Sequence, residues 1–404
     1  MEYLLVTHIP FTRTTDGILV DELWANDLMG LFASIGPIRV AAPEHEFKET
    51  WGPTMTTLPV NSGITFIGFP PMRSWFDPLR KCAIRKILRR EVAKADLIHS
   101  SNPFPPYVDL LYAHDCAVKM GKKTVFVIAE DFCDMLNWEW VRPTKSRLKK
   151  WLKEKSVQRL DKKVRHAIEK ASLTFLFTPA AVSLYRLDTP HSYAARDVTH
   201  LAEDVISSED FAEKCRLIKQ GTPLIITAAC RHKPLKGLEF LVQAVAELKK
   251  KGIRVEAKLY GHGPQTTELK ELSSQLNVAD CISFPGALQP GKEVYSAFAK
   301  AHLSVMSHRT NDFARAFYDS MTGGTPVIAF HTVASEGTVR NGVDGLLVPL
   351  DNAIALALAI ERLDQDRNLL IQMSQMARHR ALFETRTTWR QYRTERIKEL
   401  FIKE

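Results

Sequence analysis

The chain is built from two runs of short, β-rich segments, each separated from the next by a stretch long enough to form a helix. In the first half the segments are YLLVTH, IRVAAP, ADLIHS, TVFVIAE and LTFLFT; in the second they are PLIITAA, VEAKLYG, CISFPG, LSVMSH, PVIAF and GLLVP. Near-continuous Val, Ile, Leu and Phe marks strands buried on both faces, and strand–helix alternation marks a parallel sheet covered by helices. At 404 residues the chain exceeds the ~250–300 at which one hydrophobic core stops growing. The pattern predicts an α/β protein of two doubly wound units in series, joined near residues 203–222 by a polar stretch carrying Gly221, with Pro223 just beyond.

Composition narrows the class. Hydrophobic residues at 45% and charged residues at 25% describe an ordinary globular protein. No apolar run nears the ~20 residues of a membrane span, and the opening MEYLLVTHIPF is a first strand rather than a signal peptide. Six scattered cysteines without ligand-like spacing are expected to be reduced thiols in a cytoplasmic protein. The net charge of +9 concentrates in two stretches of the first half. Residues 79–94 place Ile84, Ile87, Leu88 and Val92 on one helical face and Lys81, Arg85 and Arg89 on another. Residues 142–170 contain twelve Lys or Arg against three Asp or Glu. These are solvated helix faces or a peripheral surface for an anionic membrane, where each cation contributes roughly 1 kcal/mol. No base-reading motif accompanies the charge, so nucleic acid is not an expected partner.

The candidate chemistry lies in the second half. After PLIITAA comes Cys230-Arg231-His232-Lys233-Pro234-Leu235-Lys236-Gly237, then a helical pattern. A turn with two spaced cations at a strand's end suits a diphosphate: Arg231 offers a planar fork and Lys236 a mobile point charge. The next strand ends in Gly261-His262-Gly263-Pro264, at the edge where open α/β sheets bind ligands. Further on, Asn311 and Asp319 precede Thr322-Gly323-Gly324-Thr325-Pro326, a turn that ends a helix and starts a strand. Asp319 is placed to accept hydrogen bonds from a ribose diol, and the amides near Phe313 and Ala314 are placed to receive phosphate. In the first half, Thr14-Thr15-Asp16-Gly17 follows the first strand, and Gly17 permits close backbone approach of a phosphate or serves an ordinary turn. Glu130-Asp131 after TVFVIA are candidate carboxylates at a cleft or a helix-capping pair.

These motifs, in this order over residues 220–400, resemble the retaining glycosyltransferases of the family-four type, which have the two-lobed GT-B fold. The matching elements are Arg231-x4-Lys236-Gly237, Gly261-x-Gly263-Pro264, Gly324 to Ala329 and Asn341 to Val348. The resemblance implies two Rossmann-like domains facing a cleft: an acceptor domain at 1–205, a donor domain at 206–385, and a helix at 386–404 crossing back to the first. It implies a nucleoside-diphosphate sugar as donor, a glycan or lipid-linked acceptor, no metal and no cofactor, in polysaccharide or glycoconjugate assembly. Arg231, Lys236, Gly17, Gly261, Phe313, Ala314 and Asp319 are then donor-binding, Asp16 and His8 acceptor-binding, and Glu130, Asp131 and Asn311 catalytic. The sequence departs from the family's two glutamates separated by seven residues: Asn311 stands at the first and Asp319 at the second. It also has Glu130-Asp131 where the family often carries a histidine. A silent nucleotide-sugar-binding subunit and an epimerase of the same fold are the competing readings.

Overall fold

The computed structural model describes residues 1–46, 55–59, 61–72, 74, 77–103, 106–107, 110–185, 191–311 and 315–402. The chain divides into a unit of Met1–Arg196 with Trp389–Glu404 and a unit of Asp197–Thr388. The first boundary falls at residue 196 rather than 205 because the segment between engages the second unit. Asp197 pairs with Arg315, Thr199 reaches Asp319, and His200 Nε2 bonds the Ala381 carbonyl oxygen.

The first unit contains β1 (Tyr3–Val6), β2 (Thr12–Arg13), β3 (Gly17–Asp21), α1 (Glu22–Ile35), β4 (Ile38–Pro43), β5 (Met55–Pro59) and β6 (Ile64–Phe69). It continues with α2 (Pro78–Ala93), β7 (Leu97–Ser101), α3 (Leu111–Lys119), β8 (Lys123–Ile128), α4 (Phe132–Leu136), α5 (Arg147–Lys170), β9 (Leu173–Leu176), α6 (Pro179–Tyr185) and β10 (Ser192–Ala194). Its main sheet has the order β10-β9-β8-β7-β1-β4-β6, all parallel. The order reverses between β1 and β7, which makes their carboxyl ends the switch point. A small antiparallel sheet, β2-β3-β5, stands apart.

The second unit runs α7 (Ser208–Lys219), β11 (Leu224–Ala229), α8 (Leu238–Lys250), β12 (Val255–Tyr260), α9 (Thr266–Gln275), β13 (Ile282–Gly286), α10 (Lys292–Ala299) and β14 (Leu303–Met306). Then come α11 (Ala316–Thr322), β15 (Val327–Phe330), α12 (Val333–Glu336), β16 (Gly345–Val348), α13 (Ala353–Gln365) and α14 (Arg367–Phe383). The last helix, α15 (Arg386–Ile402), packs Ile397, Trp389 and Leu400 on the core of the first unit. The six-stranded sheet β13-β12-β11-β14-β15-β16 is parallel throughout and reverses between β11 and β14. Helix α8 shows how sequence makes this layer: Leu238, Leu241, Val242, Val245 and Leu248 repeat at three and four residues and are all buried. Each contributes roughly 1.5–3 kcal/mol.

Candidate active site

Lys236 is the cation that the second fold turns inward. It ends a short 3-10 turn, Pro234–Lys236, and is only 8% exposed. Its charge acts on the Cys230 thiol, just past β11, and on the His308 imidazole, just past β14. The amine therefore sits at the switch point of the second sheet. Burial pushes the Cys230 thiol up to about 11 against the pull of Lys236. Burial also holds His308 neutral, with Lys236 adding to the effect. His308 packs edge-on to Phe317, and among the described residues its Nδ1 has no hydrogen-bond partner.

Three glycines bring these loops together. A Cβ on Gly237 would lie 2.3 Å from the Ser307 carbonyl oxygen; one on Gly261 would lie 2.0 Å from that of Cys230. One on Gly263 would lie 2.4 Å from that of His232. Both Gly237 and Gly261 have positive φ, +60° and +115°, a region side chains rarely enter. Gly261 thus serves loop packing. Ser307 Oγ donates to the Lys236 carbonyl oxygen at 3.0 Å, and the Arg309 amide to that of Leu235 at 2.9 Å, tying the cationic turn to the end of β14. Arg231, by contrast, is exposed.

Asp319 is the fourth residue of α11 and partly buried. Burial pushes its carboxyl up to about 7, opposed by the Arg315 guanidinium and by the Thr199 hydroxyl, which donates at 3.5 Å. Thr199 also meets the Tyr295 hydroxyl at 3.4 Å. Asn311 is partly buried. Phe313 and Ala314 lie outside the described residues, and the described part of α11 begins at Ala316. The turn after it is anchored by buried Lys214, whose Nζ donates to the Gly323 carbonyl oxygen and Thr325 Oγ1, both at 2.7 Å.

In the first unit, His8 follows β1 at the switch point, and burial lowers its imidazole to about 4. Glu130 and Asp131 follow β8, two strands away. Asp131 caps α4 by accepting the Asp134 amide at 3.1 Å, so the capping alternative holds for that oxygen. Asn102, at the end of β7, is buried and accepts the Ala129 amide at 2.9 Å, fixing the strand end that leads to Glu130. Sequence reasoning missed Asn102, His308 and Thr199, because nothing local distinguishes a loop polar group from a buried one. Asp16 is exposed in the hairpin between β2 and β3. Gly17 is corrected in one respect: its φ is +149° and a Cβ would lie 2.2 Å from the Leu58 carbonyl oxygen. Its bare face is thus filled by β5, which leaves that face no room for a phosphate.

Residues 222–366 match the family described as Glycosyl transferases group 1. That match lies within the second unit and marks it as similar to the group 1 glycosyl transferases. Among curated relatives, the chain is 31% identical to D-inositol 3-phosphate glycosyltransferase of Streptomyces bingchenggensis, over 42% of this chain and 39% of that protein. It is 24% identical to alpha-D-kanosaminyltransferase of Streptomyces kanamyceticus, over 53% of this chain and 56% of that protein. The chain thus spans about half or less of the length of these relatives. The crystal structure of Anabaena Alr3699/HepE in complex with UDP superimposes with a TM-score of 0.70 at 15% identity, covering 99% of this chain and 100% of that one. The GT-B fold is therefore shared over 99% of the chain, and Lys236, Gly237, Gly261, Asn311 and Asp319 all fall inside the matched residues 222–366.

Proposed function

We propose that the protein transfers a sugar from a nucleoside-diphosphate sugar to a glycan or lipid-linked acceptor, with retention, in polysaccharide or glycoconjugate assembly. The observation that carries this reading is the buried Lys236 side chain at the switch point between β11 and β14, inside the residues that match the group 1 glycosyl transferases. When the bond between the anomeric carbon and the diphosphate oxygen breaks, negative charge builds on the leaving diphosphate. Lys236 and Arg231 neutralise that charge, and no metal is needed for that part of the task. Asp319, once ionised, accepts the ribose hydroxyls. Asn311 hydrogen-bonds the donor sugar. For the configuration to be retained, the acceptor oxygen forms its bond to the anomeric carbon on the face the diphosphate leaves, and loses its proton to a base, for which Glu130 is the candidate. His8 and Asp16 hold the acceptor. UDP bound to the Anabaena structure supports a nucleotide donor, and the names of the relatives support glycosyl transfer.

The test is a thermal-shift screen with UDP, GDP and ADP, followed by transfer from the matching labelled sugar nucleotides. A nucleoside diphosphate is expected to raise the melting temperature by mass action in the wild type and not in Lys236→Ala. Equal shifts in both proteins would remove the assignment. Asn311, in place of a carboxylate, favours one second reading: a binding subunit without turnover. Nucleotide binding with no transfer to any acceptor, restored by Asn311→Glu, would decide for it. The location proposed is cytoplasmic, peripheral to the membrane through residues 79–94 and 142–170. Among the described residues no helix is long and apolar enough to cross a membrane.

A further inference from the structure

We infer that the first two turns of α5 form an insertion wedge for an anionic lipid surface, gripping by apolar burial as well as by charge. Leu148 is 67% exposed, Trp151 52% and Leu152 51%, three large apolar side chains spaced for one helical face. That face is the outer one. The buried stripe of α5 is Val157, Leu160, Val164, Ala167 and Ile168, and successive turns place it opposite the line through Leu148, Trp151, Leu152, Lys155, Arg159 and Lys162. No residue of α5 before Val157 is buried.

Topology explains the overhang. Helix α5 ends two residues before β9, so its carboxyl end lies at the amino edge of the sheet. Its 24 residues make it about 36 Å long, against about 20 Å for a six-residue strand. Its first turns therefore project past the carboxyl edge, the edge that carries His8 and Glu130. The projecting tip is ringed by cations: Lys145, Arg147, Lys149 and Lys150 are all exposed. At its root Lys153 Nζ bonds the Trp140 carbonyl oxygen and Thr144 Oγ1, at 2.9 and 2.7 Å. Arg142 lies 3.7 Å over the Trp138 ring. The tip ends in the residue types of a lipid interface: leucine for the acyl boundary, tryptophan at headgroup depth, lysine for phosphate.

The alternatives fit less well. Nucleic acid would use the lysines but gives two exposed leucines nothing to bury against. A second copy would bring one cationic tip against another. This inference rests on and deepens the peripheral location proposed above; it can fail without the transferase reading failing, because adsorption to vesicles requires no sugar nucleotide.

The experiment is co-sedimentation of the full chain with vesicles of phosphatidylcholine alone or mixed with phosphatidylglycerol. The chain is expected to bind the mixed vesicles and not the neutral ones. The triple variant Leu148→Ser, Trp151→Ser, Leu152→Ser is expected to bind at least about tenfold more weakly at an unchanged melting temperature, since all three residues are exposed. Trp151→Phe should remove most of the blue shift in tryptophan emission seen on binding. Failure of the wild type to bind, unchanged binding by the triple variant, or tighter binding to duplex DNA than to vesicles would each overturn the proposal. So would a dimer that the triple variant dissolves without affecting vesicle binding.

Discussion

The two units treat their cations in opposite ways. In the first, Lys149 and Lys150 in the opening turn of α5 and Lys155 and Arg159 on its outer face all stand in water. In the second, Lys214 and Lys236 are buried; Lys214 is fastened to the turn after α11, and Lys236 sits where two strand ends meet. An exposed cation costs the fold almost nothing and acts only on what approaches the surface. A buried one is expensive to hold charged, and its position is fixed by the backbone that surrounds it. Only the second kind has the geometry to stabilise charge at a particular atom, which is why the diphosphate site is assigned to the second unit and the surface role to the first.

Substitutions test that contrast in descending order of effect. Lys236→Ala is expected to lower turnover by about two to three orders of magnitude, with Arg231→Ala lowering it less because its exposed guanidinium is not pre-positioned. A steady-state assay with saturating donor checks both, and equal losses would erase the distinction between buried and exposed. Gly261→Ala forces a Cβ onto a carbonyl oxygen at positive φ and should cost at least about 2 kcal/mol by urea unfolding. Gly252, also at positive φ but with open space around it, should cost clearly less when changed to Ala.

Protonation sharpens the same comparison. Burial lowers the Lys214 amine from 10.5 to about 7. The unfolded chain therefore binds more protons between about pH 7 and 10.5, and stability should rise with pH across that window. Lys214→Met should flatten that rise in melting curves. Asp319 runs the other way: its carboxyl is raised from 3.8 to about 7, so the folded state holds the extra proton and stability should fall as pH climbs from about 4 to 7. Nucleoside-diphosphate affinity should strengthen over the upper part of that interval as the carboxylate forms, and Asp319→Asn should remove the dependence in a titration by calorimetry. Smallest of all, changing Lys149, Lys150 and Lys155 to Gln should leave stability within about 0.5 kcal/mol.

All six strands of the second sheet were legible in the sequence as short β-rich runs between helical stretches. The first unit was less legible. β1, β4, β7, β8 and β9 announce themselves as β-rich runs, but β6 (ITFIGF) alternates in burial, β10 has three residues, and β2, β3 and β5 form a small separate antiparallel sheet with a weak signal. The candidate site divides similarly. Lys236 and Asp319 could be singled out because charge in a patterned turn is visible locally. Asn102, Thr199 and His308 acquire their meaning only from residues far away in the chain, as does Gly17, whose Cβ direction meets the Leu58 carbonyl oxygen.

The distribution of thiols has a practical consequence. Cys230 and Cys133 are pushed up to about 11 and 12, Cys116 is buried, and among the six only Cys82 is exposed. Cys82 lies on α2, among the cations of residues 79–94. A maleimide dye should therefore couple there first, without mutagenesis, and report from the natural chain whether that surface leaves water.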